Sequence, residues 1–219
     1  MYNAAAFIAE AVASLQAQTT PVAEIVIVDD GSTDGGVAAI PADPRIRLVR
    51  KPHTGIADTV NRGVRAASGE YLAFLDADDR WVPDKLARQL AAFAGPERPD
   101  LVFACGRIFH SPELLRAGAV DGAVVAGVGK SSLLIPRETF LRVGYLPVGE
   151  GLHDFMGWYA RVVDAGLRSL VLPDVLFERR IHGANDGILR RAAQRGNYFA
   201  TLKQVLDRRR AGGATGPAA

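Results

Sequence analysis

"EYLAFLDADDRW", residues 70–81, runs an apolar segment straight into three carboxylates, Asp76, Asp78 and Asp79. Aspartate is depleted in strands, and like charges this close repel. The stretch therefore costs stability unless a positive partner offsets it. The same design recurs upstream. "EIVIVDD" (24–30) is a β-branched run, too short for a stable helix, that ends in acids and the turn chemistry of "GSTDGG". "RIRLVR" (45–50) alternates as a half-exposed strand does, and "DLVFACG" (100–106) is a further strand. Helical spacing separates these runs. Residues 5–18 place Ile8, Ala11, Val12 and Leu15 on one face, with Asn3 as cap. "IADTVNRGVRAA" (56–67) is helical up to Ser68-Gly69, and Pro83 opens a helix with Leu86, Leu90 and Phe93 in line. Strands separated by helices imply an α/β fold, a mostly parallel sheet covered on both faces. Ligands gather beyond the carboxyl ends of such strands, and both acid clusters fall there.

The chain is less regular after residue 106. A Gly-rich stretch (117–129) leads to "SSLLIP" and the short helix "RETFLRVG", stopped at Gly144. "PVGEGLHD" (147–154) reads as a loop, and "DFMGWYARVVDAG" (154–166) as an amphipathic helix closed by Gly166. "RSLVLPDVLFERRIH" (168–182) reads as two strand pieces split by Pro173, followed by a last helix over 188–208. No internal repeat is present.

With 219 residues, 48% of them hydrophobic and 23% charged, the chain fits one globular domain with a sizeable core. A net charge of +2 calls for no nucleic-acid partner. "LDRRR" (206–210), beside "AGGATGPAA", reads as a solvated, frayed end. The single Cys105 excludes an internal disulfide and a cysteine-based zinc site, and its apolar setting reads as a core thiol. No apolar run reaches the roughly 18 residues of a membrane span, and the signal-peptide order is absent from the first residues. The expectation is a soluble, cytoplasmic protein with no transmembrane segment.

"DADD" behind a strand has three readings. One is a turn in which Asp side chains bond nearby backbone N–H groups. A second is a phosphotransferase with the first Asp as nucleophile, resembling the haloacid dehalogenase family. That family's DxDx[T/V] run is not matched, because Arg80 stands in the Thr/Val place. The third is a cradle for a hard dication, Mn²⁺ or Mg²⁺, carrying a nucleotide diphosphate.

"VDDGSTDG", "HTGIADTVNRG", "ASGEYLAFLDADDRWVPDKL" and "RVVDAGLRSLVLPD" follow one another in this order. Together they resemble a family 2 glycosyltransferase of the GT-A fold over nearly the whole length. The resemblance implies a Rossmann-like α/β/α sandwich with a mostly parallel central sheet. It also implies a single domain over 1–208, whose residues 1–106 bind a nucleotide sugar and 107–208 face the acceptor, with a flexible tail at 209–219. It further implies transfer of a sugar from a nucleoside diphosphate, UDP- or dTDP-type, to an acceptor hydroxyl with inversion.

The same resemblance distributes roles. Asp30 accepts the imide N–H of the base, with Asp29 as its structural neighbour. Gly55 and Asn61 pack a loop and helix against the nucleotide, Asn61 being equally an ordinary surface residue of its helix. Asp76 faces the ribose or the water shell of the metal, and Asp78 ligates the metal. Asp79 is also readable as a cap near Pro83. Asp154 is the base for the acceptor hydroxyl, in a pair where His153 replaces the family's usual Glu, and Glu150 is a fallback. In "FERRIHGAND" (177–186), Arg180 pairs with the diphosphate and His182 ligates the metal or touches the phosphates. Trp81 and Trp158 either stack on a sugar or fill core space.

Members of that family open on a strand of the type "VSVIIPAYN", whereas residue 1 here begins "MYN". That strand lies mid-sheet, and without it two neighbours expose unpaired edges and apolar faces. The preferred explanation is a start site placed too late. Extension upstream by about ten residues is expected to improve solubility and nucleotide affinity. Two rivals to the transferase stay open: a nucleotide-sugar-binding remnant without turnover, and the phosphotransferase, which an active Asp76→Asn protein would eliminate.

Overall fold

The computed structural model describes residues 1–125, 127–149 and 154–183. Helix α1 (Ile8–Gln16) buries Ile8, Ala11 and Val12, the face its spacing predicts. Asn3 is not its cap. With a φ of 47°, Asn3 accepts the Thr33 N–H at 2.9 Å and donates its own N–H to Ser32, tying the first residues to the "GSTDGG" turn. Strands β1 (Ile25–Asp29) and β2 (Ile46–Arg50) pair in parallel, and α2 (Ile56–Ala66) packs on β1.

A separate sheet contains β3 (Tyr71–Ala73), β4 (Arg80–Trp81), β5 (Leu101–His110), β6 (Val124–Val125), β7 (Leu134–Pro136) and β8 (Ser169–Ile181). Its order is β3-β7-β5-β8-β4, with β6 joined to β5. Helices α3 (Lys85–Ala94), α4 (Pro112–Arg116), α5 (Arg137–Val143) and α6 (Asp154–Asp164) complete the described elements. The expected mostly parallel sheet does not form. Within this sheet only β5–β8 is parallel, while β3–β7, β4–β8, β5–β6 and β5–β7 are antiparallel. Strand β7 enters between β3 and β5 and runs antiparallel to both. The β5–β8 pair is joined by a crossover that includes α5 and α6, as a parallel pair requires. Strand β5 also runs through residue 106, so the two expected parts share one sheet.

Pro173 does not split β8. Leu172 pairs with Ala104 and Val175 with Cys105, so Pro173 and Asp174 bulge out of register and the missing N–H breaks no ladder bond. Gly106 is required by packing: a Cβ there would lie 2.3 Å from the Phe177 ring. The main core gathers Leu101, Phe103, Leu133, Ile135, Phe140 and Trp158, each side chain contributing about 1.5–3 kcal/mol on burial. Trp158 stacks on Phe140 and donates to the Gly144 carbonyl, and Trp81 is buried with its indole N–H on the Ser131 carbonyl. Both tryptophans therefore fill core space.

The two sheets are not hydrogen-bonded to each other. Between β1 and β3 lies a cavity of about 440 Å³, walled by apolar side chains such as Ile8, Val12, Ile27, Val64 and Leu72. Met1 makes one step of parallel pairing with β1: its nitrogen donates to the Val28 carbonyl, and its carbonyl receives the Asp30 N–H at 2.8 Å. Asp76 and Lys130 also line this cavity.

Candidate functional site

The first acid tip follows β1. Asp30 is buried, and both its oxygens are engaged. Oδ1 receives the Lys51 ammonium and the Thr54 N–H (2.9 Å), while Oδ2 receives the Gly55 N–H (3.0 Å) and lies 3.1 Å from His53 Nδ1. Burial alone would raise this carboxyl. The Lys51 ammonium and the Thr54 and Gly55 N–H groups outweigh it and hold Asp30 below the usual carboxylate range. Asp29, also buried, accepts the Ser32 N–H at 3.1 Å. Gly31, with a φ of 76°, lets the loop close, since a Cβ would stand 2.9 Å from the His53 nitrogen. Gly55 caps α2. Above this tip Tyr2 stacks on His53 with ring centroids 4.1 Å apart, and both rings are about half exposed.

Asn61, on the same helix, is 2% exposed. Its amide donates to the Leu146 carbonyl and accepts the Leu146 N–H, both at 2.9 Å. Its polar atoms are spent in joining α2 to the segment after α5.

The second tip follows β3. Both oxygens of Asp76 meet the Lys130 ammonium, at 2.7 and 2.8 Å. Asp76 is half exposed by area, but what it faces is the cavity. Burial would raise its carboxyl; Lys130, then Arg179 and the Met1 ammonium, bring it below the ordinary value instead. Asp78 lies 3.1 Å from His182 Nε2. Asp79 is buried and is not a helix cap: it accepts the Arg180 N–H (3.0 Å) and the Ser131 hydroxyl (3.1 Å). Burial, with Asp76 and Asp78 beside it, pushes the Asp79 carboxyl up to about 7. Arg180 packs over Phe109, donates to the Asp78 carbonyl at 3.0 Å and pairs with Glu10. It braces the backbone of this tip.

Residues 1–7 connect the two tips. Met1, Asn3 and Ala5 bond to β1 and the turn behind it, and the Phe7 ring lies 4.5 Å from that of His182. Burial lowers the Met1 ammonium, against attraction from Asp76, Asp29 and Asp30. Asp154 begins α6. Glu150 and His153 lie outside the described residues.

Among the described residues, no three or more His, Cys, Asp or Glu side chains converge on a metal position. The donor chemistry nonetheless fits a dication held by few protein groups. Asp78 and His182 are adjacent, and the crowding that helps to raise the Asp79 carboxyl is an excess of negative charge that a cation relieves. The sequence reading passed over Tyr2 and Lys130. Each acquires a partner only through folding, Tyr2 from residue 53 and Lys130 from residue 76. Their one weak signal is an aromatic residue and a lone cation in otherwise small-residue surroundings.

Comparison with known proteins places these features. The Glycosyl transferase family 2 model matches residues 1–125. The chain is 28% identical over 220 residues to a chondroitin synthase of Pasteurella multocida, covering 95% of this chain and 23% of that protein. It is 28% identical over 218 residues to a hyaluronan synthase of the same organism, covering 94% and 22%. The chain thus spans about a quarter of the length of these relatives. Among solved structures it resembles the mannosyltransferase PcManGT of Pyrobaculum calidifontis in complex with GDP-Man and Mn²⁺. The TM-score is 0.65 at 24% identity, over 87% of this chain and 57% of that one. It also resembles S. aureus TarS 1-349 in complex with UDP, with a TM-score of 0.61 at 19% identity, over 83% and 58%. These likenesses establish a shared α/β fold, and among the described residues no helix is long and apolar enough to cross a membrane.

Proposed function

The chain belongs to glycosyl transferase family 2, and from that premise we propose an inverting, metal-dependent enzyme that moves a sugar from a nucleoside diphosphate to an acceptor hydroxyl. The observation that carries this reading is that residues 1–7 tie the two tips together: Met1 bonds to β1 and to Asp30, lines one cavity with Asp76, and Phe7 meets His182. A donor with a base at one end and a charged diphosphate at the other suits two tips joined in this way.

On the base side, Asp30 organises the His53–Gly55 loop, and its Oδ2 is the oxygen that a base imide would approach. The paired rings of Tyr2 and His53 offer a face for that base, and the UDP complex of a fold neighbour makes a uracil-type donor the first choice to test. At the other tip, Asp76 faces the ribose, and Asp78 with His182 would hold Mn²⁺ or Mg²⁺. The dication supplies Lewis-acid stabilisation of the diphosphate as it leaves, worth several kcal/mol. Arg180 keeps the Asp78 backbone in place, and Asn61 fixes the segment ahead of α6. Asp154 then takes the proton of the acceptor hydroxyl as its oxygen bonds to the anomeric carbon and the bond to the diphosphate breaks.

A panel of nucleotide sugars, assayed for Mn²⁺-dependent hydrolysis and for thermal stabilisation, tests the reading with Asp78→Ala as control. The expected result is a metal-dependent response to at least one donor that the variant loses. No response to any donor with metal present would refute it. Persistent diphosphate binding without turnover would favour the binding remnant.

A further inference from the structure

Lys130 is the one basic residue between Arg116 and Arg137, in a stretch otherwise made of small and apolar residues and one acid. Its side chain is only 16% exposed, and its ammonium touches both oxygens of Asp76. Its backbone is fixed by buried partners on three elements. The 3₁₀ turn Lys130–Ser132 is closed by the Ser132 hydroxyl on the Gly129 carbonyl at 2.9 Å. Gln89 of α3 donates to the Ser132 carbonyl (2.7 Å) and to the Val102 carbonyl of β5 (3.1 Å). Trp81 of β4 donates to the Ser131 carbonyl at 3.2 Å, and Ser131 in turn donates to Asp79. The ammonium is therefore delivered to Asp76 by a rigid base on a flexible stem.

That placement has a consequence for binding. The ammonium lies across both oxygens of Asp76, beside the cavity that Asp76 and Lys130 line together. A ligand that draws on the charge of Asp76 competes with the ammonium and can displace it. The displaced group stays tethered beside the acids, where the diphosphate of a donor would bring new negative charge. A compact ammonium with three rotatable donors suits such a move better than a planar guanidinium.

We propose that Lys130 is an exchangeable counter-ion: it holds Asp76 in the ligand-free protein and passes to the diphosphate when the donor binds. The inference rests on the donor-site reading above. Metal alone competes with Lys130 for the acidic tip, whereas metal and nucleotide together release Asp76 and give the ammonium a new partner. Metal and nucleotide binding are therefore positively coupled through this side chain, by about tenfold, within the usual range for linked sites.

Isothermal titration of three probes tests this: Mn²⁺ alone, UDP in the presence of a chelator, and UDP at saturating Mn²⁺. Lys130→Met is expected to bind Mn²⁺ alone about tenfold tighter than the wild type and UDP with chelator about tenfold weaker. It is also expected to lose the enhancement of UDP affinity by Mn²⁺. Should Lys130→Met fail to fold, Lys130→Gln removes the charge, retains a hydrogen bond to Asp76, and carries the same expectations. If the wild type binds Mn²⁺ and UDP and the folded variant matches it in all three titrations, Lys130 is a plain structural lysine and the inference is overturned. If the wild type binds neither probe, the donor-site reading itself fails, and this inference with it.

Discussion

The two acid tips are built from the same residue type at the ends of neighbouring strands, yet they stand in opposite electrostatic states. At Asp30, every oxygen has a partner within the protein, and the carboxylate is more stable ionised than it would be in water. At Asp76, Asp78 and Asp79, three carboxyl groups crowd together, and Asp79 is driven toward its neutral form. The first tip stabilises its negative charge with donors. The second sets like charges side by side, and an added cation would relieve them.

The sharpest way to break this contrast is to neutralise one acid at each tip. Asp30→Asn leaves the buried Lys51 without its main counter-charge, since Asp58 is 3.3 Å away and more exposed. A loss of about 3–5 kcal/mol of stability is expected, as for other broken buried pairs, measured by urea unfolding. Asp79→Asn removes a crowded charge and is expected to leave ligand-free stability unchanged or raised. Equal losses in the two variants would mean that both tips are architecture.

A smaller effect comes from the strand that positions the second tip. Gly106→Ala pushes a methyl group into the Phe177 ring on β8, three residues before the Arg180 that bonds to Asp79. Overpacking of this kind costs about 2 kcal/mol. Thermal melting reads the stability loss, and weaker Mn²⁺ binding would report the shift of the acids. Nucleotide contacts around Asp30 should be unaffected.

The two tips also give pH dependences of opposite sign. A carboxyl whose folded value is raised binds its proton more tightly in the folded state. Asp79 therefore adds stability that is full below about 4 and is lost as pH rises through about 7. Asp30 has a depressed value, so its contribution is present above the ordinary carboxylate range and is lost as the pH falls through its folded value. A decline on the order of 4 kcal/mol between pH 4 and 7 is expected in the ligand-free protein, absent in Asp79→Asn and flattened by Mn²⁺. Unfolding curves at several pH values check it. A wild-type profile parallel to that of Asp79→Asn would show that the second tip is not crowded.

The elements most legible in the sequence are those whose pattern is local. The β-branched run at 25–29 and the helical spacing at 56–66 fold where periodicity places them. What periodicity does not encode is pairing. Nothing within "RIRLVR" or "SSLLIP" says that one strand will lie parallel and the other antiparallel to its neighbour, because that is set by which strands the whole fold brings side by side. Pro173 misled for a related reason: a bulge carries the proline through β8, and a bulge depends on the partner strand. At the site, the acids are visible as residue types, but their states are not. Asp30 and Asp79 look alike in sequence and differ only in how many donors and neighbouring carboxylates folding brings to them.

The smallest expected effect concerns the exposed rings beside the satisfied tip. Tyr2 and His53 contact each other and little else is buried by them, so Tyr2→Ala should change thermal stability by roughly 0.5 kcal/mol or less. If the pair is a platform for a base, the same substitution removes a stacking partner worth about 1 kcal/mol. UDP affinity should then fall about fivefold, while Mn²⁺ affinity, which depends on the other tip, stays constant. Tyr2→Phe keeps the ring and should keep the affinity. A loss of Mn²⁺ binding in Tyr2→Ala would mean that the two tips do not act separately, since a ring 4.1 Å from His53 would then govern charge at Asp78.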